Sequence, residues 1–234
     1  MNVVDLPLWF VRAFGVGLGL AWGSFLNVVI YRVPRGMSVV RPSSRCPACG
    51  KPIAGYDNIP VLSYLILRGR ARCCGAKMSP RYPIVELIGG VIAFALIETV
   101  WRHLPGDTSI GRACAIWFAD FALCLGLVAS AFIDAEHMIL PDSIMIGGAI
   151  LGLATASLRG FGWKASLVGA AVGFFGVRLL LGGVYRVVRG RDGMGMGDAK
   201  LVMLAGAWFG WPAALFSLLA GSLQGSLFAL LTYA

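Results

Sequence analysis

The chain has 234 residues, 58% hydrophobic and 13% charged, with 20 Lys+Arg against 11 Asp+Glu and a mean hydropathy of +0.80. A soluble domain carries about 25% charged residues and roughly half apolar ones, so this composition cannot cover a water-facing surface. Disorder is excluded, and six Cys are too sparse for a disulfide scaffold. The class is an all-α polytopic membrane protein, and the net charge of +9 serves topology rather than nucleic-acid binding.

Hydrophobic runs able to cross about 30 Å of hydrocarbon lie at 8–30, 83–100, 113–133, 143–158, 165–185 and 213–233. A shorter run at 199–211, with close-packing Ala-Gly-Ala and an interfacial Trp-Phe-Gly-Trp at its end, makes a seventh span. The first run has only Asp5 ahead of it and no basic leader, so it reads as an uncleaved anchor. The organisation is an anchor over 1–30, a polar insert over 31–82 and a bundle of six helices over 83–234. The sequence offers no internal repeat.

Charge then orients the spans. The insert 31–82 holds ten Lys/Arg and 186–200 holds four, while 101–112 and 159–164 hold two each. Helix parity puts the first pair on one side, together with 134–142. The positive-inside bias therefore places the insert in the cytoplasm and the N-terminus outside.

Within the insert, Cys46-Pro-Ala-Cys49 is a C-x2-C knuckle, and Cys73-Cys74 follow it. Four thiols in a cytoplasmic loop of this size read as a tetrahedral zinc site, a staple for a segment too small to fold on its own core. Adjacent cysteines match that geometry less well than a second C-x2-C, and free thiols are the alternative. Arg68, Arg70 and Arg72 read as a solvated patch facing lipid headgroups, and Cys114 and Cys124, inside a span, as packing residues.

Ionisable groups in membrane segments default to function. Asp134 falls at the cytoplasmic end of the third span and Asp198 at the cytoplasmic start of the sixth, so parity brings them to one membrane face. Two neighbouring carboxyls share one proton, one acting as base on water and the other polarising a carbonyl. Gly193, Gly195 and Gly197 offer unobstructed backbone beside Asp198, which equally suits an N-cap. Asp120 lies about 21 Å along the helix from Asp134 at 1.5 Å per residue, too far to be its partner. Glu98 reads as a solvated residue near the outer interface, and His137, near Asp134, as structural.

These residues are similar to those of bacterial type IV prepilin peptidases, also called prepilin leader peptidase/N-methyltransferases. The resemblance runs from Gly23-Ser-Phe-Leu-Asn27 through Cys46-Pro-Ala-Cys49, Tyr56-Asp-Asn-Ile-Pro60 and Ser79-Pro-Arg-Tyr-Pro83 to Glu86. It continues with Phe132-Ile-Asp-Ala-Glu-His137, Leu140-Pro-Asp142 and Gly193-Met-Gly-Met-Gly-Asp-Ala-Lys-Leu201. It implies an intramembrane aspartic endopeptidase with Asp134 and Asp198 as the catalytic pair. Such enzymes remove the basic leader of prepilins and type II secretion pseudopilins at the cytoplasmic face of the inner membrane. Many then methylate the new N-terminus with S-adenosylmethionine.

No G-x-G-x-x-G fingerprint marks a methyl-donor site, and Glu86 with the 79–86 segment is its candidate. The family has a second C-x2-C where this chain has Ala71 and Cys74, so Cys73 becomes the substitute metal ligand beside Cys46, Cys49 and Cys74. Family members usually continue into a further helix, which implies a truncated or unusually short chain. The competing readings are a peptidase without methylation, a small ion-coupled transporter using the two aspartates, and a zinc-bearing scaffold.

Overall fold

Pro7 sets an extended backbone and then leaves twenty-five residues without a proline, which form helix α1, Leu8–Arg32. The computed structural model describes residues 2–190 and 194–233; among these it is helical, with isolated β-bridges and no strands. The chain forms two compact units, Met1–Met138 and Ile139–Ala234.

In the first unit, α1 is followed by a largely irregular segment that contains the short helix α2, Leu62–Ile66, and then by α3, Arg81–Thr99, and α4, Ile110–His137. Pro83 is tolerated in α3 because it lies in the first turn, where its missing N–H has no partner to lose. Helix α4 begins where Ser109 accepts a bond from the Arg112 N–H at 3.4 Å, and it ends at Met138, in a left-handed conformation with φ +56°. α1 and α3 run antiparallel at backbone contact: a Cβ on Gly19 would lie 2.5 Å from the Gly89 carbonyl oxygen, and one on Gly23 2.7 Å from Glu86 Cα. Small residues at such a seam let backbones gain dispersion contact that lipid cannot supply.

The ends of this unit differ in character. At one end Arg12 holds Glu98 at 2.6 Å, and Arg102 joins the same carboxylate at 2.8 Å. Glu98, read from sequence as merely solvated, is instead the centre of an ion-pair triad. The end of α1, the start of α3 and the end of α4 meet at the other end, where Asn27 donates to the Tyr82 carbonyl at 3.1 Å and Arg81 pairs with Glu136.

The second unit holds α5, Asp142–Thr155; α6, Trp163–Phe175; α7, Val184–Arg189; α8, Met196–Phe209; and α9, Trp211–Tyr233. Wide π-type turns over Gly176–Gly183 join α6 to α7. α5 runs parallel to α8: Lys200 meets Asp142, Leu204 meets Gly148 and Trp208 meets Gly152. α6 runs antiparallel to α8, with Gly169 and Gly206 in backbone contact and Ser166 donating to the Ala207 carbonyl. Trp208 is fully buried, its indole donating to the Gly148 carbonyl at 2.8 Å while the Arg159 guanidinium lies 4.2 Å above its ring.

Each predicted run overlaps a helix, though 143–158 runs past the end of α5 and 199–211 crosses the break at Gly210 between α8 and α9. Among the described residues, five helical stretches are long and apolar enough to cross a membrane: Leu8–Arg35, Arg81–His103, Ile110–His137, Trp163–Val188 and Trp211–Thr232. α5 and α8 have 14 residues each, about 21 Å at 1.5 Å per residue, which is short of the hydrocarbon thickness.

Candidate functional site

The four insert cysteines converge. Their sulfurs all lie within 4.8 Å of one another, with Cys46–Cys74 at 3.7 Å, Cys49–Cys73 at 3.3 Å and Cys73–Cys74 at 3.9 Å. Zinc at about 2.3 Å from each of four tetrahedral thiolates sets sulfur–sulfur distances of about 3.8 Å, so this set fits a single zinc ion. N–H groups of Cys49 and Ala48 point at Cys46 and pull its thiol down to about 6, while the neighbouring Cys49 side chain pushes Cys73 up to about 12. One thiolate is thus favoured at neutral pH, and a zinc ion held by the four sulfurs would supply the charge that favours the thiolate form of the others.

The insert is tied to α3 through Glu86. This buried carboxylate accepts the Val61 N–H at 2.7 Å and also bonds Ser24. Val61 has φ +61°, a strained value for a β-branched residue. Glu86, a candidate for the methyl-donor site, therefore fixes the turn before α2 against α3. Arg32 anchors the following loop by donating to the carbonyls of Ser38 and Pro42 at 2.9 and 2.8 Å. Of the three insert arginines read as a solvated patch, Arg72 is exposed and also clasps Asp57 at 2.9 Å, with its guanidinium over the Tyr56 ring.

Asp134 sits half-buried in the last turn of α4, in the first unit, next to fully buried Ile133. Its neighbour Glu136 is held by Arg81 and lies 4.0 Å from His137. Asp198 belongs to the second unit, in the first turn of α8, where its carboxylate accepts the Gly195 N–H at 3.2 Å. It caps the helix backward from the third position rather than acting as the N-cap residue, which is Gly195. Two residues on, Lys200 pairs with Asp142 at 2.5 Å and joins the starts of α5 and α8. Sequence reading gave Lys200 and Arg81 no role; a lysine two positions from an aspartate is the only signal the first offers. Gly193 lies outside the described residues.

A model of the bacterial peptidase A24 N-terminal domain matches residues 18–100, and one of the type IV leader peptidase family matches residues 121–230. A prepilin leader peptidase/N-methyltransferase of Myxococcus xanthus is 42% identical over 99% of this chain and 67% of its own length. One of Klebsiella pneumoniae is 37% identical over 87% of both chains. The chain belongs to the type IV leader peptidase family. A further member, from Neisseria gonorrhoeae, is 36% identical over 89% of this chain and 77% of its own. No solved structure matches it. Membership sets aside the transporter and scaffold readings, and the family's two regions cover the cysteine insert and the segment with both aspartates.

Proposed function

We propose that this leader peptidase cleaves the leader from prepilins and N-methylates the residue exposed by the cut. The observation that carries this is the match of both halves of the chain to the family, together with relatives of that double activity along nearly its full length. It is a multi-pass membrane protein. Our reading adds that α5 and α8 also cross, giving seven spans in the bacterial inner membrane, with the N-terminus outside and the insert in the cytoplasm. Pseudopilins of type II secretion fall within the same substrate class.

Asp134 and Asp198 form the peptidase dyad in this proposal. One carboxylate takes a proton from water as its oxygen attacks the scissile carbonyl carbon, and the other, protonated, donates to the carbonyl oxygen. The tetrahedral intermediate collapses as the C–N bond breaks and a proton passes to the leaving amine. Exposed backbone at Gly195 and half-buried Gly197 suits close approach of an extended substrate strand. Cys46, Cys49, Cys73 and Cys74 would hold a structural zinc ion, which supplies cross-linking of the insert. S-adenosylmethionine supplies the methyl group, and Glu86 shapes the neighbouring turn.

The test is incubation of the detergent-solubilised protein with a synthetic prepilin, with and without S-adenosylmethionine, read by intact mass. Leader loss plus the mass of one methylene is expected only with the methyl donor. Asp134→Asn and Asp198→Asn are each expected to abolish cleavage, and a near wild-type rate in either removes that residue from the dyad.

A further inference from the structure

Helix α2 is polar inside and apolar outside. Leu62, Leu65 and Ile66 are 56%, 63% and 72% exposed. Ser63 between them is buried, its hydroxyl donating to the Tyr56 carbonyl and accepting the Ile59 N–H, both at 3.1 Å. A short helix on a water-facing surface would turn its leucines inward and its serine out. The backbone around α2 is also paired within the protein. Val61 N–H goes to the Glu86 carboxylate at 2.7 Å, Leu67 N–H to the Ser63 carbonyl and Arg68 N–H to the Leu65 carbonyl. Such internal pairing is what a segment needs where water does not reach it.

The charges on α1 and α3 set the depth. Arg12, paired with Glu98, marks one end of these antiparallel helices, and Arg32 and Arg81 mark the other. Arg12 and Arg32 are 20 residues apart on α1, about 30 Å at 1.5 Å per residue, which matches the hydrocarbon thickness. Ser24 lies eight residues inside Arg32, and Glu86 five inside Arg81, about 12 and 8 Å below the arginines on the insert's side. These two side chains bond one another, and the Glu86 carboxylate also holds Val61, the residue before α2. The insert therefore descends to that level before it turns back. Val61 at φ +61° and Arg68 at φ +51° bend the chain on either side of α2, and exposed Arg68 and Arg70 follow the helix.

We propose that α2 is a re-entrant element: Leu62, Leu65 and Ile66 lie among the acyl chains of the leaflet next to the insert, and Arg68 and Arg70 reach the lipid phosphates of that leaflet. This rests on α1 and α3 crossing the membrane. Interfacial helices bury their apolar face about 5–10 Å into the boundary between headgroups and acyl chains, the level at which Glu86 holds the start of α2. Arginine suits the return path, because its apolar stem stays in the hydrocarbon while its charged head extends to the phosphates. Glu86 then has a reason to be buried in a span: it accepts a backbone N–H that would otherwise face lipid unpaired.

Depth is read in proteoliposomes of anionic phospholipid whose acyl chains carry bromine, a contact quencher. The full chain carries one coumarin-bearing amino acid at a time, in place of Ile66, of exposed Leu87 on α3, or of exposed Lys51 in the insert. Labels at Ile66 and Leu87 are expected to lose most of their emission relative to unbrominated lipid, and the label at Lys51 to keep its emission. Leu65 is a second position on α2, used where the label at Ile66 disturbs the fold. Emission at Ile66 and Leu65 that follows Lys51 overturns the proposal. So does emission there that is unquenched in lipid and changes only when a synthetic prepilin is added, which would give this face to the substrate. An unquenched label at Leu87 overturns the membrane reading of α3, and the proposal with it. Arg68→Gln/Arg70→Gln is expected to weaken quenching at Ile66, and unchanged quenching removes the phosphate contacts.

Discussion

Gly169→Ala tests the packing that holds α8, the helix that carries Asp198. A Cβ there would lie 2.2 Å from the Gly206 carbonyl oxygen, 0.8 Å inside the 3.0 Å that real Cβ atoms keep, and 2.7 Å from Gly210 Cα. All of these neighbours are backbone, so no side chain can swing away and α6 must part from α8. A gap of 0.5–1 Å forfeits about a quarter to a half of each contact well along the seam. Overpacking of this kind costs about 1–3 kcal/mol, and an unyielding wall places it at the upper end. Removing a helical glycine returns about 1 kcal/mol, for a net loss of about 2 kcal/mol. Gly147→Ala in α5 is the matched control, because nothing lies within 4 Å of a Cβ at that site; it keeps the helix-propensity gain of up to about 1 kcal/mol and adds no clash. The assay is reversible unfolding in mixed micelles of mild detergent and dodecyl sulfate, followed by the fluorescence of buried Trp208. The two variants should separate by about 3 kcal/mol, and coincident midpoints would refute the backbone contact.

Glu98→Gln removes the charge that pairs with Arg12 and Arg102 and should lower the unfolding midpoint of the first unit, by less at high salt because the arginines are partly exposed; the same unfolding assay reads it, and an unchanged midpoint would deny the triad a stabilising role. Asp142→Asn should cost less than about 1 kcal/mol in stability but slow prepilin cleavage without abolishing it, because Lys200, two residues from Asp198, loses its partner; cleavage at the wild-type rate would deny the pair a positioning role. In the zinc-free protein Cys46, lowered to about 6, is an acid more easily ionised folded than unfolded. Its contribution to the insert's stability is therefore complete above the unfolded thiol value and is lost as pH falls through about 6. Ultraviolet thiolate absorbance should show one thiol ionising near that pH, with zinc retained less well below it, whereas four thiols titrating together near about 8.5 would contradict this.

Five of the apolar runs were legible as spans because helices in lipid must be apolar along nearly their whole length, so composition alone finds them; α5 and α8 are apolar but fall short in length. Their ends were less so: the third run was placed at 113–133, but the Ser109 cap and the left-handed Met138 set α4 at Ile110–His137. The four cysteines converge in space, yet the likeness of the two turns that carry them, with Cys46 N–H to the Lys51 carbonyl in one and Ala71 N–H to the Ala76 carbonyl in the other, escaped notice in the sequence. Only Arg45/Arg70, Cys49/Cys74 and Gly50/Gly75 are shared between these turns, and the remaining similarity lies in backbone bonds that many side chains permit. Glu98 was misjudged in part for a related reason: its partner Arg12 is 86 residues away, although Arg102, four residues on, was a local signal that went unread. Arg72 remains solvated, and its pairing with Asp57, 15 residues away, is one that no local pattern announces.

The parallel course of α5 and α8 has an electrostatic consequence. Each helix carries roughly half a positive charge at its N-terminus from aligned peptide dipoles, and the Lys200–Asp142 contact shows that the two N-termini lie at the same end of the second unit. These two dipoles add, while α6, antiparallel to α8, opposes them from its own side. The paired starts of α5 and α8 therefore set two groups of backbone N–H donors at the end that holds Asp198, before any side chain is counted. A field fixed in the scaffold needs no reorganisation when negative charge develops on a carbonyl oxygen nearby, and it is insensitive to substitutions that leave the two helix starts in place.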